Sequence, residues 1–444
     1  MENLSRKLGT IENIFNIIHD LGGMICICVA QIEGLIQPGI LQQALNLLQK
    51  RHPLLQVHIV DLEDGRYFQS EGTKEIPLKV IKKYQSDRWF KVAEEELHEK
   101  FTRNNNPLCR VTLLDGSETN NVNEIIATFD HTIVDGTSVI NFIQELLSYY
   151  AQILDSNNTI LEPIKMQFLS PLEEIVDRSI IDTNKIQDTQ KNPAPKLPNL
   201  ELLIEQEADP IDRRTRILTR ILNPEITLAL MNRCKQEQAT VHSALSAAML
   251  FAVGKNTFTN TPIKVSCAFS VNLRKYCLPK VEAEQIGCFV SHVKQNYVLE
   301  ENSDFWNLAR ECKSKILQSI RLRTHINSVC SQELKYINKS ILIQESKNQM
   351  GRKNTLDISN VGELNLEAQY GQLKLKELYF AGGQHCVGSS VWLGVLIFQQ
   401  QIFFTFAYVT PLLSEKTAQF LTDSVVDNIE KACSSKSLSL SSIV

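Results

Sequence analysis

The sequence predicts a mixed α/β (α+β) protein built in two halves. Three observations carry this. Runs of β-branched and aromatic residues of strand length recur between segments whose apolar residues fall at helical spacing, as in layered α/β or α+β architectures. At 444 residues the chain exceeds what one ordinary core organises, and its length suits about two to three domains. The polar stretch 181–200, carrying Pro193, Pro195 and Pro198, reads as a linker between residues 1–180 and 201–444. Both flanking parts share a loose strand–helix rhythm.

In the first half a short helix or turn precedes Met24–Ile32, which reads as a strand. Gln37-Pro38-Gly39 then starts a helix whose broad apolar face comes from Ile40, Leu41, Ala44, Leu45, Leu47 and Leu48. It stops at Arg51-His52-Pro53, where His52 suits a C-cap because a cationic or polar side chain favours the negative end of the helix dipole. Leu55–Val60 resumes as strand, and Asp64-Gly65-Arg66 marks a hairpin turn. An edge strand at Ile76–Ile81, a charged amphipathic helix at Trp89–Phe101 and a strand at Pro107–Leu114 follow. Val122–Phe129 reads as a buried strand. Val139, Ile140, Phe142, Ile143, Leu146, Leu147 and Tyr150 then recur at helical spacing.

After the linker, Arg213–Leu222 alternates basic and apolar residues as an exposed strand would. Pro224 opens a helix, and a small-residue-rich helix capped by Thr240 covers Val241–Leu250. Strands are expected at Ile263–Val271, Ile286–Val298, Ile358–Leu364, Leu373–Phe380, Val391–Phe398 and Ile402–Val409. Helices are expected at Phe305–Leu322 and Ser414–Ala432.

Between Val122–Phe129 and the helix after it lies Asp130-His131-Thr132-Ile133-Val134-Asp135-Gly136. A rigid strand end holds a catalytic base well, and imidazole can take a proton from an alcohol or amine near neutral pH and return it. An aspartate four residues on could bond that ring, or turn away and pin the loop through an ionic partner. The plainer alternative is that Asp135 caps the helix and His131 is a satisfied polar residue. His385 beside Cys386 invites comparison with a Cys–His nucleophile, but a polar residue in a glycine-rich loop fits better. His242 and His292 read as structural.

Bulk composition excludes several classes. With 46 basic and 50 acidic residues the net charge is −4, which gives no electrostatic case for nucleic acid. No run of about 18 apolar residues suggests a membrane span. The first residues lack the apolar core of an export signal, so the expected compartment is the cytoplasm. Eleven scattered cysteines without C-x-x-C spacing point to reduced, buried thiols and to no metal site.

His131 to Gly136 resembles the HHxxxDG motif of the thioester-dependent acyltransferases. That superfamily includes chloramphenicol acetyltransferase, nonribosomal-peptide condensation domains, plant HxxxD acyltransferases and mycobacterial polyketide-associated acyltransferases. Further segments are similar in the same order: Gly34 through Arg51-His52-Pro53-Leu54-Leu55, Thr240-Val241-His242 to Ala248, Asn272-Leu273-Arg274 through Gly287, and Ser359-Asn360-Val361-Gly362. The free-standing alcohol O-acyltransferase branch is the nearest in character. One departure is Asp130, which stands where relatives often carry a first histidine and would favour protonated His131 if it pointed inward.

The resemblance implies two pseudo-symmetric halves, each a mixed sheet flanked by helices, with the site in a tunnel between them. It implies His131 as general base, Asp135 paired with Arg274, and Gly136 keeping the tunnel open. Asn360, Ser359 and Asp130 become candidates for positioning the substrate or the oxyanion. The donor would be acyl-CoA or a phosphopantetheinyl acyl carrier protein, with no permanently bound cofactor. The acceptor would be a small alcohol or amine, the product a secondary-metabolite or lipid ester, and the protein a monomer. Transfer would be direct, consistent with the lack of a G-x-S-x-G elbow. Two readings compete with it: a non-catalytic relative that binds a carrier protein or ligand, and a hydrolase.

Overall fold

The computed structural model describes residues 3–85, 88–118, 121–155, 161–181, 202–257 and 262–434. The linker read at 181–200 therefore lies outside the described residues except for Ile181. In chain order the first-half strands are β1 (Ser5–Lys7), β2 (Ile25–Glu33), β3 (His58–Leu62), β4 (Gly65–Gln69), β5 (Leu78–Lys82), β6 (Cys109–Asp115) and β7 (Val122–Asp130). The rest are β8 (Arg214–Leu222), β9 (Ile263–Asn272), β10 (Val290–Leu299), β11 (Arg352–Glu363), β12 (Gln369–Tyr370), β13 (Leu373–Gly382), β14 (Gly388–Phe398) and β15 (Gln401–Thr410).

Among the described residues these form two six-stranded mixed sheets and one small one. The first sheet runs β12-β13-β2-β7-β6-β5, the second β10-β9-β11-β14-β15-β8, and β1-β4-β3 makes the third. Each large sheet has its own core. The first packs under the helices Pro38–Arg51 and Gly136–Asp155, and the second under Val241–Thr257, Phe305–Arg321 and Glu415–Ser434. The small residues of the Val241 helix are buried almost throughout, so it sits between helices and sheet rather than on the surface. Strand β8 lies at the edge of the second sheet, and its alternation holds over 214–217, where Arg214 and Arg216 are exposed and Thr215 and Ile217 buried.

Three differences from the sequence reading matter. The helix expected to reach Phe101 ends at Glu96, and the strand expected from Ile286 begins at Val290. More consequentially, β13 leaves the second half and pairs with β2, setting Phe380 against Cys28 and Gly382 against Cys26. The next strand, β14, returns to the second sheet beside β11. The chain thus crosses between the sheets at 383–387, stitching the halves together where their facing ends meet.

Candidate active site

The strand β7 is buried along its length and ends at Asp130. The backbone N–H of His131 then donates to Met24 O (2.9 Å), tying the turn to the start of β2. Asp135 caps the helix that follows, its Oδ1 accepting from the Ser138 N–H at 2.8 Å. The imidazole of His131 stands edge-on to Phe15, ring centroids 4.9 Å apart, and its Nδ1 lies 3.9 Å from Cys288 Sγ. It is half-buried and faces a cavity of about 690 Å³.

Behind His131 the turn is locked to the second half. Arg274 donates to both carboxylate oxygens of Asp135, Nη1 to Oδ2 at 2.8 Å and Nη2 to Oδ1 at 3.1 Å. Its Nη2 also reaches Ser138 Oγ (2.8 Å) and Gln285 O (3.1 Å), and Phe289 N–H donates to Asp135 Oδ2 at 2.9 Å. Every Asp135 lone-pair direction is thereby used, which is what a buried carboxylate requires. Burial opposes ionisation of Asp135, but the Arg274 charge and these donors outweigh it and hold the carboxyl below its usual range. A carboxyl depressed in the folded state stabilises the fold above its unfolded value, near pH 4, and loses that contribution as pH falls through the folded value. The stability gap between wild type and Asp135→Asn should accordingly be full at neutral pH and shrink below about pH 4 in urea titrations.

His131, Asp135, Gly136 and Ser359 all line the cavity. A Cβ at Gly136 would lie 3.2 Å from Val361 Cγ1 and 3.3 Å from Phe380 Cε2, so any side chain there intrudes on the lining. Asp130 and Asn360, the other two candidates read from the sequence, are placed elsewhere. Asp130 is fully buried: its Oδ1 accepts from Thr132 N–H (2.9 Å) and Oγ1 (2.8 Å), and its Oδ2 faces His19 Nδ1 at 3.7 Å. It lies outside the lining of the cavity that His131 faces. Asn360 donates toward His242 Nδ1 at 3.4 Å and accepts from Gly362 N–H at 2.8 Å, also off the lining.

The cavity holds polar groups that the sequence reading passed over. His292, read there as structural, Lys294 and Asp357 all face it. The available signal was the alternation of His292 and Lys294 on one strand, two residues apart. His385 is engaged elsewhere: its Nδ1 meets Thr215 Oγ1 at 3.0 Å and its Nε2 meets Gly22 O. Burial and the neighbouring His98 push its pKa to about 3, and among the described residues no hydrogen bond joins its ring to the Cys386 thiol. His52 closes its helix as a buried C-cap, with Nε2 3.0 Å from Glu145 Oε2. All eleven cysteines are free thiols. Among the described residues no helix is long and apolar enough to cross a membrane.

A family model described as "Condensation domain" matches residues 25–374. Among solved structures the chain is similar to trichothecene 15-O-acetyltransferase from Fusarium sporotrichioides, at 11% identity and TM-score 0.75, covering 97% of this chain and 96% of that one. It is similar to a starter condensation domain of rhizomide synthetase in complex with C8-CoA, at 12% identity and TM-score 0.71, covering 99% and 97%. Polyketide synthase associated protein 5 from Mycobacterium tuberculosis matches at 14% identity and TM-score 0.66, covering 97% and 98%. At these identities the likeness is one of fold.

Proposed function

Because the chain belongs to the condensation-domain family, we propose that it is an acyltransferase moving an acyl group from a CoA or carrier-protein thioester to a hydroxyl. An amine acceptor is the close variant. The observation that carries this reading is a half-buried His131 facing a cavity between two sheets, with its turn held from behind by the Asp135–Arg274 pair. In this mechanism His131 removes the acceptor proton, and the oxygen attacks the thioester carbonyl. Dipoles aimed at the oxyanion stabilise it, and the N-terminus of the Gly136–Asp155 helix opens on the cavity with its positive end. Ser359, on the cavity lining, is the candidate to supply a hydroxyl donor. His131 then returns the proton to the leaving thiolate.

No acyl-enzyme is required. Cys288, the thiol beside His131, is buried, and burial together with Asp135 and Glu12 pushes its pKa well up, away from thiolate. That a like-folded starter condensation domain is described in complex with C8-CoA supports a CoA thioester as donor. Asp130 does not favour the non-catalytic reading, because its carboxylate is committed to Thr132 outside the cavity.

The test is thiol release from an acyl-CoA with a panel of alcohols and amines, followed by mass measurement of product and intact protein. Acceptor-dependent release with an unmodified protein is expected. Release without acceptor, together with an acyl adduct, would make it a hydrolase. No release across the panel, from CoA or carrier donors, would sink the proposal.

A further inference from the structure

Strand β10 forms the edge of the second sheet, and its side chains His292 and Lys294 line the cavity. The register extends this inward. Lys294 lies opposite Ala268 of β9, Ala268 opposite Asp357 of β11, and Asp357 opposite Trp392 of β14. All four line the cavity. One row across the sheet thus reads ammonium, methyl, carboxylate, indole. With neighbouring strands about 4.8 Å apart, the two charged residues stand roughly 10 Å apart at the backbone. The small Ala268 leaves the space between them open.

These opposite charges do not meet. Among the described residues no ion pair joins them, and Lys294 makes no side-chain hydrogen bond. Asp357 Oδ1 accepts from Asn354 Nδ2 at 2.9 Å, and the residue lines the cavity. Burial pushes the Asp357 carboxyl up to about 6 against the pull of Asn354, Lys294 and Arg352, and burial pushes Lys294 down. His292 is held neutral, at about 4, by burial and by the neighbouring His131 and Lys294, so it adds no charge to the row.

A ligand that enters this space displaces the water around both charges. An anion would satisfy Lys294 and strand Asp357; a cation would do the reverse; an apolar group would strand both. We infer that the row is a recognition site for a small zwitterion of the amino-acid type, its carboxylate on Lys294 and its ammonium on Asp357. His131 lines the same cavity, and in this site the hydroxyl of the bound molecule would face it. The role of that molecule as acyl acceptor rests on the proposed function; its binding does not.

The test is a ligand-observed NMR titration of the full chain, without any acyl donor, using serine, 3-hydroxypropionate and 2-aminoethanol as probes. These differ only in carrying both charges or one. Serine should bind about 10- to 100-fold more tightly than either single-charge analogue. Lys294→Met should bring serine down to the level of 2-aminoethanol, and Asp357→Asn to the level of 3-hydroxypropionate. Equal affinity for the three probes, no saturable serine binding, or serine binding untouched by both substitutions would overturn the inference. The wild-type comparison decides even where a variant fails to fold. Serine preference without acyl transfer would defeat the proposed function alone, and transfer to simple alcohols without serine preference would defeat this inference alone.

Discussion

Replacing His131 by alanine should lower acceptor-dependent thiol release by about 10²- to 10⁴-fold, the usual contribution of a general base. The fold should survive. The bond that places the turn runs from the backbone N–H to Met24 O and is available to any residue but proline, while the ring itself touches Phe15 and Cys288. A stability change within about 1 kcal/mol is the expectation, checked by urea unfolding alongside kinetics. His292 shares the cavity, and the causes that push it down, burial first, make it a weaker base than an ordinary histidine. His385 has both ring nitrogens engaged, by Thr215 and Gly22. Because the base acts in the transition state, the loss should appear in kcat more than in KM. Wild-type turnover by His131→Ala would remove His131 from the mechanism altogether.

The strand–turn–helix around His131 was legible because its signals are local. The buried run of β7, the Asp135 cap and the apolar stripe of the following helix each follow from residues within a few positions of one another. The mixed α/β class was legible for the same reason. What stayed hidden depends on pairing across the chain. Nothing in Leu373–Gly382 itself states that it belongs beside β2, roughly 350 residues earlier in the chain. The cavity face of β10 and β11 was hidden likewise, since alternation shows that His292 and Lys294 share a side of the strand but not what that side faces. The direction of the Asp130 carboxylate, to Thr132 and His19 and away from the cavity, is likewise not stated by its place beside His131 in the chain. The helices Thr324–Cys330 and Lys339–Lys347 went unread because two turns or so are too short to show a period.

Arg274→Met should destabilise the protein by about 3–5 kcal/mol, because it leaves a carboxylate buried without its counter-charge. The geometry argues for the upper part of that range. Asp135 and Arg274 are only 3% and 5% exposed, so water cannot take the place of the lost partner. The guanidinium also joins Ser138 and Gln285, and lies over the Phe289 ring at 4.7 Å, so its removal loosens three segments together. Asp135→Asn should cost somewhat less, since the arginine keeps Ser138 Oγ and the Gln285 carbonyl as acceptors. The double variant should cost clearly less than the two singles summed, because neither charge is then stranded. The pair spans the two halves, connecting the turn that carries His131 to the loop before β10. Both single variants should therefore lose activity by presenting His131 poorly, with little change in which acceptors are used. Urea unfolding of the four proteins closes the cycle. Single substitutions that each cost under about 0.5 kcal/mol, or a strictly additive double variant, would show that the pair is a bystander to the turn it holds.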